Sequence, residues 1–103
     1  MSESEIPLAP GRVVCARAGR DKGKLFIVVG FEAETGYALL ADGRGRRMEK
    51  PKRKKAKHLQ PTKVSFTNIG ERLKEGARVL DAELRKSLAE LAAESGFAPK
   101  EEG

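Results

Sequence analysis

The side chains of this 103-residue chain that could do chemistry are above all its cations. Arg20, Lys22 and Lys24 sit around Gly19 and Gly23 in a short connection. Arg44, Arg46, Arg47, Lys50, Lys52, Arg53, Lys54, Lys55 and Lys57 then follow in a run whose only acid is Glu49. Cations held on neighbouring strands and loops can pair with phosphates and release condensed counterions, which gives affinity without any contact to a base. A lone charge run more often reads as a solvated face or a basic loop. A second basic tip at Arg20 to Lys24 on the same small domain shifts the reading toward a polyanion-binding surface, with Gly23 allowing a partner to come close.

The other reactive groups are few. His58 is the only histidine and Cys15 the only cysteine, so a multi-histidine or two-thiolate metal site is excluded and no intrachain disulfide can form. A nucleophilic Cys–His pair is formally available. Structural roles are expected instead, with Cys15 buried as a small strand residue and His58 either packed under the basic loop or touching the bound polyanion. There is no P-loop, and the glycines around Arg20 do not lead from a strand into a helix as a dinucleotide fingerprint requires. No catalytic residue, metal or cofactor is expected, and an enzyme is the least favoured class.

Composition sets the frame. The chain is about one small domain, with a formal charge of +6 and a pI near 9.7, which favours polyanionic partners. Residues 1–63 hold 15 basic and 7 acidic side chains, residues 64–103 only 6 against 8, so the charge is concentrated where the motifs lie. A single cysteine suits a reducing compartment. No apolar run approaches the roughly 20 residues of a membrane span, and the first residues lack the basic and apolar regions of a signal peptide. A cytoplasmic protein with no membrane partner is expected.

These side chains need a sheet to position them. Gly11 to Gly30 reads as strand, loop, strand, with Asp21 capping its own turn, and Tyr37 to Ala41 as a third strand after a polar turn. Asp42-Gly43 is the strongest hairpin signal, which predicts a fourth strand over Arg46 to Lys50 and a short fifth over Ala56 to Leu59, with Pro51 and Pro61 at edges or ends. Five short strands at this spacing predict a closed or partly closed barrel over residues 10–63, after a flexible lead over 1–9. Phe26 reads as core, and core is the leading role for Phe31 and Tyr37 too, although these two flank a turn and are the better candidates for a base contact.

The stretch Ala18-Gly19-Arg20-Asp21-Lys22-Gly23-Lys24, with its preceding Gly, apolar pair and small residues and the apolar strand that follows, resembles the KOW motif. That module occurs in ribosomal proteins and transcription factors as a small SH3-like barrel. The likeness continues through Leu40-Ala41-Asp42-Gly43, the basic cluster and Lys57-His58-Leu59-Gln60-Pro61-Thr62, in the order seen in large-subunit ribosomal proteins of the fourteen-e type. It covers roughly residues 10 to 62. Leu25 and Phe26 depart from it, standing where many KOW sequences keep another small residue, and the likeness does not extend comparably to residues 64–103. The resemblance implies RNA, in particular ribosomal RNA, with neighbouring ribosomal proteins as further partners.

From Asn68 onward the period changes. Asn68 with Glu71 resembles a capping box, and Leu73, Ala77, Leu80, Leu84, Leu88 and Leu91 recur at steps of three and four. This predicts a helical extension over residues 64–103 with a flexible end, built on an amphipathic C-terminal helix of about six turns ending before Gly96, with Gly76 the point at which it could break in two. The leucine stripe is a packing surface, either for the barrel or for the same stripe on a second chain, which leaves a homodimer open. The reading is therefore a noncatalytic RNA-binding module whose contacts are Arg20, Lys22, Gly23, Lys24, Arg44, Arg46, Arg47, Lys52, Arg53, Lys54, Lys55 and Lys57. Its rival is an SH3-like protein-interaction adaptor using the leucine stripe.

Overall fold

A computed structural model gives the fold and describes residues 8–95. Five antiparallel strands form one sheet: β1 (Arg12–Ala16), β2 (Leu25–Glu32), β3 (Tyr37–Ala41), β4 (Lys52–Lys55) and β5 (Leu59–Ser65), in the order β4-β3-β2-β1-β5. A single 3-10 turn, Ala56–His58, joins β4 to β5. Two helices follow, α1 (Thr67–Lys74) and α2 (Asp81–Ser95). The chain is thus mainly β with helices at its C-terminal side, but β4 and β5 are opposite edges that do not pair, so the sheet does not close into a barrel.

What shapes the molecule is that the sheet is apolar on both faces. Val14, Phe26, Val28, Ala38, Leu40 and Leu59 lie on one face and are enclosed by the curl of the sheet. Val13, Ile27 and Ala41 lie on the other, and Ile69, Val79 and Leu84 from the helical segment cover them. A bulge keeps the inner face continuous: Val28 pairs with Leu40 but Gly30 with Leu39, so Val29 is an extra residue. The alternation slips by one, and Phe31 returns to the side of Phe26 and Val28. Bulges also increase local twist, which helps a five-stranded sheet curl over its own core.

Several elements fall elsewhere than the sequence predicts. The fourth strand is Lys52–Lys55 and not Arg46 to Lys50, because the Asp42-Gly43 turn opens into a connection running to Pro51. Ala56–His58 is a 3-10 turn, and the fifth strand begins at Leu59 and runs through Pro61. Pro61 is tolerated since β5 is an edge and pairs only with β1. Leu8, assigned from sequence to a flexible lead, is 6% exposed within the inner core, and residues 1–7 lie outside the described residues.

The six-turn helix is two helices. Glu75 ends α1, Gly76 takes a φ of +79°, its N–H donates to Leu73 O, and the Ala77 N–H donates to Arg72 O. That is the Schellman arrangement, in which a left-handed residue closes the last turn, and glycine adopts it at least cost. At the other end, the cap position of α1 is Phe66 without a side-chain cap bond, so Asn68 lies inside the helix and does not cap it. The corner between the helices is held by Arg72, which donates to both Glu83 carboxylate oxygens and to the Arg78 carbonyl. Hydrogen bonds from Arg72 and then from the Leu80 N–H lower the Glu83 pKa from the ordinary 4.5 to about 2.

The break also splits the leucine stripe. Leu84 is fully buried against the sheet and Leu88 packs beside it, whereas Leu80, just before α2, is 50% exposed. Leu84→Ala should therefore cost about 2–4 kcal/mol in denaturant unfolding, while Leu80→Ala should stay within about 0.5 kcal/mol of the parent. Equal effects of the two would show that α2 is not seated on the sheet.

Candidate functional site

The register of the sheet gathers two basic segments at one end. Ile27 pairs with Ala41, so the loop entering β2 and the turn leaving β3 emerge side by side. Between them and α2 runs a groove of about 460 Å³, with Lys24, Arg44 and Arg85 as its cations and Leu25, Leu88, Ala89 and Ala92 as its apolar surface.

The β1–β2 loop is held from β4. Burial pushes the Asp21 carboxyl up, but a hydrogen bond from Lys52 and the charges of Lys52, Lys24 and Arg46 outweigh that and leave its pKa below the ordinary carboxylate value. Lys52 Nζ lies 3.3 Å from Asp21 Oδ2 and Lys24 Nζ 3.6 Å from Oδ1. Asp21 is only 9% exposed, so its side chain joins the loop to the neighbouring strand, where the sequence suggested a cap on its own turn. Lys54 Nζ adds a second tie by donating to the Ala18 carbonyl at 3.1 Å.

The Asp42 turn is built as carefully. Asp42 Oδ1 accepts from the N–H groups of Arg44 (2.9 Å) and Arg46 (3.0 Å), and the Arg46 carbonyl accepts from the Asp42 and Gly43 amides. This compact turn docks on α2: Arg85 donates to the Gly43 carbonyl at 2.6 Å, and the Met48 N–H donates to Asp81 Oδ1 at 2.7 Å. Gly43 is buried with a φ of +80°, and a Cβ there would run into the Asp81 carbonyl, so only glycine fits.

The cations expected to bind RNA thus separate into groups. Arg20 and Lys22 are exposed beside Gly23, which is open to solvent, and Arg44, Arg47 and Lys57 are exposed on their own segments. Lys24 is exposed but leans on Asp21, and Arg46 is half-buried with its charge felt there. Lys52 and Lys54 face inward and hold the loop. Arg53 and Lys55 belong to a different cluster toward the far end of β4: Arg53 forks onto Glu32 and stands 4.0 Å from the Tyr37 ring centre, with the Lys55 Nζ at 5.1 Å. The ring that the sequence offered for a base contact is therefore already engaged by cations. The alternation along β4, inward at 52 and 54 and outward at 53 and 55, follows from the period of a strand.

Cys15 is half-buried and not fully buried, and pairs with Gln60, while His58 is exposed in the 3-10 turn. Among the described residues no group of three or more His, Cys, Asp or Glu side chains could hold a metal ion, and no helix is long and apolar enough to cross a membrane. Arg85 was not anticipated. It lies on the helical segment whose net charge is negative, and nothing local marks it as a neighbour of Gly43. No protein-family profile matches the chain, and a search of curated proteins finds no relative.

Charge neutralisation of the anchor should separate structural from exposed cations. Lys52→Met and Asp21→Asn should each cost about 1–2 kcal/mol in denaturant unfolding, since each leaves a largely buried partner uncompensated. Arg20→Ala and Lys22→Ala should stay within about 0.5 kcal/mol. A stability loss on the exposed pair equal to that on the anchor would contradict this division.

Proposed function

We propose that the protein is a noncatalytic, ribosome-associated RNA-binding module, with an SH3-like sheet of KOW type as its scaffold, that grips structured RNA through its phosphate backbone. The observation that carries the reading is the convergence of two basic segments, Arg20 to Lys24 and Arg44 to Arg47, on the two sides of one groove. Arg20, Lys22, Arg44 and Arg47 on these segments are exposed, and the loop and turn that carry them are held by the Asp21 and Asp42 carboxylates. Cations on braced segments lose less freedom on binding, and their separation across a compact sheet suits the closely spaced phosphates of an A-form helix. With Phe26 buried, Phe31 and Phe66 against the core and Tyr37 covered by Arg53, there is little aromatic surface among the described residues for stacking a bare strand.

The adaptor reading relied on the leucine stripe as a surface for a partner. Leu84 and Leu88 pack on the sheet of their own chain, which removes most of that surface. The RNA reading is preferred on this ground.

Competition at fixed salt among a folded ribosomal RNA fragment, a duplex DNA of equal length and an unstructured oligonucleotide tests the proposal. The folded RNA should compete best, and the double change Arg20→Ala, Lys22→Ala should lower the salt slope by about one unit for each phosphate that is no longer neutralised. If the unstructured strand competes as well as the folded RNA, the cations are a general polyanion surface.

A further inference from the structure

We infer that the groove between the β1–β2 loop, the Asp42 turn and α2 takes one unstacked nucleotide of a structured RNA, its base against Leu25, Leu88 and Ala92 and its phosphate on Lys24 and Arg44. The inference rests on the RNA-binding reading and adds to it the feature of the RNA that is recognised.

The groove differs from the rest of the basic end in being mostly apolar, and its volume of about 460 Å³ is ample for a nucleobase. A base presents two apolar faces and a polar edge, so it gains by leaving water for such a floor while its phosphate stays at the rim. Arg85 supplies the wall. Its guanidinium is pinned by the Gly43 carbonyl at 2.6 Å, and RNA-binding proteins stack unpaired bases on guanidinium planes as well as on aromatic rings. Asp42 supplies an acceptor: Oδ1 is taken by the Arg44 and Arg46 amides, and Oδ2, with no donor among the described residues, can receive a base N–H. An acidic peptide with an apolar side chain would also meet the cations, but that side chain carries no N–H for Asp42 Oδ2, which a base edge supplies. The two segments that bring Lys24 and Arg44 to the groove carry further exposed cations close by in sequence, Arg20 and Lys22 before Lys24 and Arg47 after Arg44, which suits a backbone that runs on from the site.

The test uses two fluorescein-labelled RNA hairpins matched in phosphate number, one fully paired and one carrying a single bulged 2-aminopurine, titrated with the full chain at fixed salt. The bulged hairpin should bind about tenfold more tightly, and its 2-aminopurine emission should change on binding. Ala89→Phe, which places a ring in the groove from an exposed helix position, should bring the ratio of the two affinities to about one. Ala92→Phe repeats this from the next turn of α2. Equal binding of the two hairpins by the parent overturns the inference and leaves backbone recognition standing, whereas failure to bind either hairpin overturns both. A preference that survives both substitutions puts the base elsewhere and overturns the groove. So does an acidic, leucine-bearing peptide that binds the parent, loses binding in Ala89→Phe and is not displaced by the bulged hairpin.

Discussion

A sheet that is apolar on both faces has to be covered twice, and this requirement organises the whole molecule. Val14, Phe26, Val28 and Leu40 are covered by curling the sheet; Val13, Ile27 and Ala41, equally excluded from water, are covered by Ile69, Val79 and Leu84. Each solution contributes half of the candidate site. Curling brings the inward side chains of β4 to the β1–β2 loop, where Lys52 meets Asp21 and Lys54 meets the Ala18 carbonyl. Covering the outer face brings α2 against the Asp42 turn, where Arg85 and Asp81 fasten it and the groove forms.

The electrostatics follow from that geometry. A carboxylate as enclosed as Asp21 would be costly alone, and it is kept ionised by cations from three separate segments, Lys24, Arg46 and Lys52. The same pairings decide which cations are left for a partner. Along β4 the strand period turns Lys52 and Lys54 toward the loop and Arg53 and Lys55 toward Tyr37, so a run that is uniformly basic in sequence does two different jobs in space. Composition reports the sum of those charges and is silent about the division.

The first three strands and the loop between β1 and β2 were legible because their signals are local: alternating apolar residues, paired glycines and a polar turn. The helical segment and its weak point at Gly76 were legible for the same reason. The fourth strand was misplaced because Asp42-Gly43 does look like a two-residue hairpin, and what draws it into a longer docked turn lies 33 and 42 residues further on, at Asp81 for Met48 and at Arg85 for Gly43. The sequence pattern leaves open whether the leucine stripe packs on the sheet or on a second chain, although the unbroken run Leu25-Phe26-Ile27-Val28-Val29 carries the signature of a strand buried on both sides. Read that way, it would have asked for a second cover. Of the candidate cations, the sequence could name the set but not which would face solvent, since that depends on where Asp21, Glu32 and Tyr37 come to rest.

The central claim is that RNA is held at the end of the sheet where the β1–β2 loop, the Asp42 turn and α2 meet. Titrating the ¹⁵N-labelled chain with a folded RNA hairpin and following its amide resonances tests this residue by residue. The largest shifts should fall on residues 20–24, 43–47 and 85–92, with β5 and α1 nearly still. Shifts concentrated on β5 or α1, or an unchanged spectrum at saturating RNA, would contradict it.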